Sequence, residues 1–172
     1  NDYAAVIEGQ IAGNIHIAMH GPASYARAYV TGVKAEPFAI EVSGDGTKGY
    51  YSVLYVKKDA PFQKLTDLKG KNLCLVDPNS MSGNNVPRFA MDKMGIDPEK
   101  FFSKVVYSGS HENAVIGLGQ STCDAAFNWW NDDNESMLRR MERKNMAKYD
   151  DFRMIFKSDQ IVNSPVAYLS EM

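Results

Sequence analysis

Short apolar runs alternate with helical patterns along the chain, and this alternation limits the fold more than any other feature of the sequence. Runs typical of strands lie at 15–19, 38–42, 51–57, 72–77, 104–108, 124–129 and 153–157. Helical spacing of apolar residues appears at 3–11, 23–29, 86–94, 111–119 and 137–141. Repeated β-α-β units predict an α/β fold with a mainly parallel sheet and helices on both faces. In such sheets, ligands bind beyond the carboxyl ends of the strands.

The overall composition excludes several classes of protein. The chain has 172 residues and a formal net charge of -2, with an isoelectric point near 5.9. Nucleic-acid-binding domains usually carry a basic face instead. No apolar run approaches the length of a membrane span. The chain begins at Asn1 rather than at a methionine, so the lack of a signal peptide carries no information about compartment.

Two cysteines, Cys74 and Cys123, sit at the starts of predicted strands. They lack metal-site spacing and have no histidine nearby, so we expect neither a metal nor another cofactor. A disulfide and a pair of buried free thiols are both compatible with this pattern, and we favour free thiols.

The stretch with the most chemical information is 77–83, Asp-Pro-Asn-Ser-Met-Ser-Gly, which follows a predicted strand and precedes a predicted helix. A helix N-terminus offers unpaired backbone N–H groups and partial positive charge, which suit an anion. Ser80 and Ser82 add two hydroxyl donors. Taken alone, however, the stretch is better explained as a simple N-cap.

Two further stretches also follow predicted strands. His111 lies in 109–113, which opens a helix, and it can donate to an oxyanion. Alone, it would be assigned as a capping or packed ring. Trp129 and Trp130 end the next strand and either pack between lobes or line a pocket. Because all three stretches fall at carboxyl ends of predicted strands, together they predict one anion-binding crevice.

These stretches resemble the phosphate/phosphite/phosphonate-binding family of solute-binding proteins of ABC importers. The matching residues are Asp2-Tyr3-Ala4, Ile17-Ala18 with Gly21, Asp45-Gly46 with Gly49-Tyr50, Asp77-Pro78-Asn79-Ser80, Ser82-Gly83, and Gly109 with His111-Glu112. The resemblance covers essentially the whole chain. It implies a two-lobe clamshell of the type II periplasmic-binding-protein kind, with the first lobe incomplete in this chain.

The resemblance also implies which residues contact the ligand. The direct contacts would be Tyr3, Tyr50, Ser80, Met81, Ser82, His111, Asn131 and Ser164. Residues expected beside or behind them are His20, Trp129, Trp130 and Asp132. The hydroxyls of the two serines and the amides at 81 and 82 would hold the phosphonyl oxygens, so the anion would sit at a helix start.

The implied function is the capture of a small phosphorus oxyanion (a phosphonate, phosphite or phosphate) for an inner-membrane ABC permease. Residues 1–48, rejoined by 163–172, would form part of the first lobe, and residues 49–162 the second. No nucleic-acid partner is expected. The protein would act in the periplasm, or lipid-anchored outside the cytoplasmic membrane.

No charged side chain is predicted at the end of the crevice that lies far from the helix start. Family members that bind aminoalkyl phosphonates hold the ammonium with acidic side chains, and Asn131 and Ser164 align with those positions. A buried ammonium without a carboxylate is poorly compensated. We therefore expect methylphosphonate or phosphite to be preferred over 2-aminoethylphosphonate. Asp132, one residue away, is the alternative carboxylate if its loop shifts.

Two other functions are compatible with the same clamshell fold. An enzyme would need an activated nucleophile or a matched acid–base pair. His111 and Glu112 are adjacent on a helix and point apart, so they do not form such a pair. We therefore expect no enzyme activity. A ligand-sensing domain would use the same cleft as a transport protein, and the sequence leaves that alternative open.

Overall fold

The computed structural model describes residues 2–171 and contains two sheets. The helices are α1 (Tyr3–Ile11), α2 (Pro22–Val30), α3 (Val86–Lys93), α4 (Pro98–Phe101), α5 (His111–Gly119) and α6 (Met137–Arg143). The strands are β1 (Ile17–Met19), β2 (Ala35–Ile40), β3 (Gly49–Lys57), β4 (Asn72–Leu75), β5 (Lys104–Tyr107), β6 (Ala125–Trp130), β7 (Phe152–Lys157), β8 (Ile161–Val162) and β9 (Pro165–Leu169). The alternation of predicted strands and helices is thus confirmed.

The smaller sheet has the order β1-β9-β2, and β9 pairs antiparallel with both neighbours. Helices α1 and α2 cover one of its faces, where Ile7, Ala28 and Ala167 are buried together. The chain leaves this sheet after β2 and returns to it as β9. The smaller sheet therefore combines both ends of the described chain.

The larger sheet has the order β5-β4-β6-β3-β7, with β8 paired to β3. Strands β4, β5 and β6 are parallel, but β3 runs antiparallel between β6 and β7. The prediction of a mainly parallel sheet is therefore only half right. Strand β3 enters the larger sheet directly from the smaller sheet, through the crossover segment after β2, and not as part of a β-α-β unit of the larger sheet. As a consequence, the amino end of β3 lies at the same edge as the carboxyl ends of its neighbours.

Helices cover both faces of the larger sheet, as predicted. Residues of β3 alternate between the two cores: Val53 packs with α5 and α6, whereas Leu54 packs with α3. Side chains on successive strand residues point to opposite faces, which explains why this strand is buried on both sides. The sheet therefore fixes where the helices begin, and with them the loops at its carboxyl edge.

Cys74 and Cys123 form a disulfide, with 5.7 Å between their Cα atoms. Our preference for free thiols was wrong. Strands β4 and β6 are parallel neighbours, with Cys74 opposite Ala126, so Cys123, two residues before β6, lies next to β4. The sequence gives no direct sign of which strands pair, and the spacing of the two cysteines therefore did not reveal the bond.

Two crossover segments join the sheets and lie side by side. The backbone N–H of Glu41 donates to the carbonyl of Ser164 at 3.2 Å, and that of Asn163 donates to the carbonyl of Lys48 at 3.0 Å. These contacts fall next to the predicted lobe boundaries, although the division into lobes stays a prediction. Separately, none of the helices in residues 2–171 combines the length and the apolar character needed to cross a membrane.

Candidate anion-binding site

The helix-start loop, residues 77–83, follows β4. Its last residues form the beginning of a π-helical turn, Met81–Asn85, that continues into α3. Ser80 caps this turn: its Oγ accepts from the Gly83 N–H at 3.0 Å. The simple N-cap therefore does form, but the Ser80 hydroxyl keeps its own proton for another acceptor. The amides of Met81 and Ser82 lie in the first turn, where a helix supplies no carbonyl partners. The loop thus presents donors to whatever lies in front of it.

Tight packing behind Gly83 fixes the position of this loop. A Cβ atom added at Gly83 would lie 2.4 Å from Val76 side-chain atoms and 2.7 Å from Ser80 Oγ. On the same side, Ser52 Oγ of β3 donates to the carbonyl of Ser82 at 2.6 Å. The helix start is therefore held against the sheet by contacts that leave no room for a larger residue.

Asn84 ties the two ends of the loop together. Its Nδ2 donates to the carbonyl of Pro78 at 3.0 Å, and its Oδ1 accepts from Arg88 Nε at 3.0 Å and from the Tyr107 hydroxyl at 2.9 Å. Because the Asn84 side chain is buried, these bonds are shielded from competing water. The donors of the loop are thereby preorganised.

His111 begins α5 and is held by Asn128, a fully buried residue of β6. Asn128 Nδ2 donates to the His111 carbonyl at 2.9 Å, and its Oδ1 accepts from the Trp129 N–H at 3.0 Å. With this orientation, the 2.9 Å contact between His111 Nδ1 and Asn128 Oδ1 requires a proton on Nδ1. The Nε2 atom lies 3.4 Å from Ser80 Oγ and faces the helix-start loop.

Burial lowers the pKa of His111 to about 4, while the hydrogen bond to Asn128 acts in the opposite direction. The ring is therefore neutral at neutral pH, with its proton on Nδ1 and a lone pair on Nε2. This corrects the expectation that a neutral His111 donates to an oxyanion. In this tautomer Nε2 accepts a hydrogen bond, either from the Ser80 hydroxyl at 3.4 Å or from a protonated ligand oxygen, and it can donate only after it is itself protonated.

A cavity of about 160 Å³ opens in front of these groups. It is lined by Glu41, Tyr50, Ser82, His111, Trp129, Asn131, Asn163 and Ser164. Tyr50 reaches it because the amino end of antiparallel β3 lies at this edge of the larger sheet. Residues from both crossover segments close the other side, so the cavity lies between the two sheets.

Two tyrosines add hydroxyl donors near the helix start. Burial raises the pKa of Tyr50, with a further rise from Tyr3, and a hydrogen bond with Ser82 opposes the shift. Burial also raises the pKa of Tyr3, which lies against Ser80. Both hydroxyls are therefore protonated and able to donate. Within residues 2–171, no cluster of His, Cys, Asp and Glu is arranged to hold a metal ion.

The family model described as "ABC transporter, phosphonate, periplasmic substrate-binding protein" matches residues 1–172. The chain belongs to this family. It is 30% identical over 176 residues to the phosphate-import protein PhnD of Mycolicibacterium smegmatis and 32% identical over 171 residues to the phosphonates-binding periplasmic protein of Escherichia coli. Each match covers 97% of this chain, but 53% and 48% of the respective relative. The chain thus spans about half the length of the curated relatives it matches.

The structure of a binding-protein component of an ABC phosphonate transporter from Pseudomonas aeruginosa superposes with a TM-score of 0.87 at 28% identity. The match covers 99% of this chain and 56% of that protein. The predicted fold, a type II periplasmic-binding-protein clamshell present in part, is therefore confirmed, as is the predicted membership of the phosphonate-binding family.

The predicted site residues of this family member divide into two groups. Those that line the cavity are Tyr50, Ser82, His111, Trp129, Asn131 and Ser164, with Ser80 and Tyr3 beside them. Those that lie elsewhere are His20, Trp130, Asp132 and the side chain of Met81, which lines a separate apolar groove. Whether the first group contacts ligand stays a prediction.

The outlying residues have other partners. The buried His20 lies in the smaller sheet's core, with its Nε2 2.6 Å from Gln10 Oε1. Trp130 packs against the Tyr51 ring at 5.7 Å between centroids. Asp132 Oδ1 accepts from two backbone amides of its own loop, at Asn134 and Glu135, and Asp132 is not among the residues that line the cavity.

Sequence reasoning missed Glu41, Asn163 and the role of Asn128. Glu41 was placed inside a predicted strand, but β2 ends at Ile40, which leaves Glu41 on the crossover beside the cavity. A carboxylate two residues before the glycine-containing loop 43–46 was the available signal. Glu41 thus adds an acidic residue to the lining of the cavity, at a position other than those of Asn131 and Ser164.

The neutral state of His111 has a consequence for stability. The folded-state pKa of His111 is below its ordinary value, so the unfolded chain takes up a proton at this residue before the folded protein does. The contribution of the neutral ring to the free energy of unfolding is therefore complete above about pH 6.5 and is lost as the pH falls towards 4. We expect the free energy of unfolding to drop less between about pH 7.5 and about pH 5 in His111→Gln than in the unmodified protein. Denaturant titrations at both pH values test this, and equal drops would contradict it. His20, whose pKa is also lowered by burial, is common to both proteins.

Proposed function

We propose that the protein captures a small phosphorus oxyanion in the cavity at the helix-start loop and delivers it to an inner-membrane ABC permease. The observation that carries this proposal is the convergence of Ser80, Ser82, Tyr50 and His111 on one helix start. A helix N-terminus with free amides and hydroxyls matches the several lone pairs of a tetrahedral oxyanion. Membership of the phosphonate-binding family supports the same ligand class.

The cavity holds an anion without a cationic side chain. Neither lysine nor arginine is among its lining residues in the described part of the chain. Binding therefore depends on hydrogen-bond donors and the helix dipole. His111 Nε2, an acceptor in the neutral ring, suits a ligand that still carries a P–OH proton. Sulfate carries no such proton at neutral pH, so we expect it to be discriminated against.

The two sheets and the residues between them support hinge closure around the ligand. We propose residues 1–48 with 163–172 as one moving lobe and 49–162 as the other. Tyr3, from α1, lies against Ser80, and Asn131 Nδ2 donates to Ser43 Oγ at 3.2 Å across the crossover. A ligand that contacts both sides stabilises the closed state through those shared contacts.

Compartment and chemistry are consistent with a binding role. The Cys74–Cys123 disulfide is the kind of bond that persists outside the cytoplasm, which supports a periplasmic location, free or lipid-anchored. His111, with a pKa of about 4 and an amide partner, is a poor general base at neutral pH. We therefore favour binding over catalysis.

Calorimetric titration of the full-length protein with methylphosphonate, phosphite, phosphate and sulfate tests the proposal. We expect at least one phosphorus oxyanion to bind and sulfate to bind at least tenfold more weakly, because sulfate cannot donate to His111 Nε2. Failure of every phosphorus oxyanion to bind would overturn the proposed function. Equal binding of sulfate would overturn the role given to the His111 acceptor.

Removal of the His111 ring should weaken binding more than folding. We expect His111→Ala to reduce the affinity for methylphosphonate or phosphate by about 1.5–3 kcal/mol, the range for a hydrogen bond to a charged group. His16, an exposed histidine next to β1, provides the matched control as His16→Ala. Unchanged affinity in His111→Ala, with a large loss of melting temperature, would assign the ring a purely structural role.

A further inference from the structure

Trp129 offers the largest apolar surface among the residues that line the cavity. The other lining side chains each carry a polar or charged group, which suits the oxygens of an anion. The indole ring suits the part of a ligand that has no oxygens, such as the alkyl group of an alkylphosphonate. Trp129 is therefore the lining residue best suited to contact an alkyl tail.

Strand β6 fixes the backbone of Trp129 but leaves its ring to be fixed by other contacts. The residue lies opposite Ser52 in the antiparallel pair with β3, and its N–H donates to Asn128 Oδ1 at 3.0 Å. Trp129 itself is half-buried, and a half-buried side chain near a strand end can occupy more than one rotamer. A defined cavity wall therefore requires a further contact that selects one orientation of the ring.

Arg140 supplies that contact. Its Cζ atom lies over the Trp129 ring, 4.7 Å from the ring centroid. A guanidinium is planar and stacks on aromatic faces, where the ring attracts its positive charge. Arg140 belongs to α6, whose Leu138 and Met141 are buried in the core on one side of the larger sheet. The Trp129 ring is thus held by a side chain from a helix that is itself anchored in the core.

Glu135 holds Arg140 in the position from which it reaches the ring. Arg140 Nε donates to Glu135 Oε1 at 2.5 Å, and the Glu135 carbonyl accepts from the Asn131 N–H at 2.9 Å. An isolated ion pair at a protein surface contributes little. Here, however, the carboxylate and the ring constrain the same guanidinium, and the turn 131–135 joins the end of β6 to α6. Arg140 is therefore restricted by both of its contacts.

We propose that Arg140 is a positioning residue, which holds the Trp129 ring as the apolar wall against which the alkyl tail of a short phosphonate packs. This proposal rests on the proposed function, since the helix-start loop must hold the phosphonyl group. Trp129 contacts the tail directly, and Arg140 acts only through the ring. The contribution of Arg140 to affinity therefore depends on whether the ligand has a tail.

Phosphite and ethylphosphonate test this dependence, because the one carries a hydrogen atom on phosphorus and the other an ethyl group. We expect Arg140→Ala to weaken the binding of ethylphosphonate to the full-length protein by about fivefold or more, because the ring no longer keeps one orientation against the tail. The affinity for phosphite should change by less than about twofold. Isothermal titration with both ligands measures this difference.

Arg139→Ala is the matched control. Arg139 lies on the same helix, stacks over the Tyr149 ring at 3.5 Å and pairs with Glu142 at 2.7 Å. It thus makes the same two kinds of contact as Arg140, but Tyr149 is not among the residues that line the cavity. We expect its removal to change both affinities by less than about twofold. A selective loss of ethylphosphonate binding in this variant too would overturn the proposal, because stacking on Trp129 would then not be the cause.

A double variant shows whether Arg140 acts through the ring. In protein that carries Trp129→Ala, Arg140→Ala should cause no further loss of ethylphosphonate affinity. A further loss there would overturn the role of Arg140, and so would unchanged affinities or equal losses for both ligands in Arg140→Ala alone. If the unmodified protein does not bind ethylphosphonate, the proposal is overturned, whereas the proposed function still stands as long as phosphite, phosphate or methylphosphonate binds.

Discussion

Gly83→Ala is expected to weaken phosphonate or phosphate binding by at least a hundredfold and to lower the free energy of unfolding by about 1–3 kcal/mol, the usual range for overpacking a core. The added Cβ would lie 2.4 Å from Val76 and 2.7 Å from Ser80 Oγ. Because neither neighbour can move freely, the helix start itself has to shift. A displacement of about 1 Å is enough to break hydrogen bonds from the loop's amides and from Ser82.

Gly44→Ala is the matched control for this prediction. Gly44 lies in the crossover loop, and a Cβ atom there would have no neighbour within 4 Å. Isothermal titration and chemical denaturation should therefore show little change in this variant. If Gly83→Ala bound the anion with unchanged affinity, the helix-start loop would not be the anion site, whatever its effect on stability.

Loss of the disulfide should have the larger effect on stability. The bond links residues 49 positions apart. The chain-entropy relation for a loop of this length gives about 4 kcal/mol of stabilisation. We therefore expect Cys74→Ala with Cys123→Ala to unfold at a markedly lower denaturant concentration. Anion affinity should change little, because neither cysteine lines the cavity.

The unmodified protein under reducing conditions serves as the control for the double variant. With the bond reduced, the unmodified protein should unfold at a denaturant concentration close to that of the double variant. Under oxidising conditions, it should unfold at a clearly higher denaturant concentration than the double variant. Identical unfolding of the unmodified protein with and without reductant would mean that the two thiols are not paired. Substitution with alanine avoids placing an unpaired hydroxyl in this buried position.

The parts of the fold that depend on local pattern could be predicted from the sequence. Helix α5 begins at His111 and ends at Gly119, as predicted, because its apolar spacing and the Ser110 cap are both local signals. The helix start after β4 was found for the same reason. The placement of β3 between β6 and β7 was not, because strand order depends on packing between distant segments.

The site residues that sequence reasoning missed were missed for the same physical reason. The bond between His111 and Asn128 joins residues on adjacent elements of the larger sheet, and it decides which nitrogen carries the proton. Nothing in the sequence near His111 indicates that partner. Glu41 reaches the cavity only because the two crossover segments lie side by side, a consequence of how β9 returns to the smaller sheet. Such contacts require knowledge of the strand order.

The measurement that most directly tests where the anion binds is a titration of the ¹⁵N-labelled full-length protein with methylphosphonate, followed by backbone amide NMR. We expect the largest downfield proton shifts at Met81 and Ser82, whose amides lie in the first turn of the helix. Saturable binding whose largest shifts lie elsewhere, with these two amides unchanged, would contradict the central claim that the helix start holds the oxyanion.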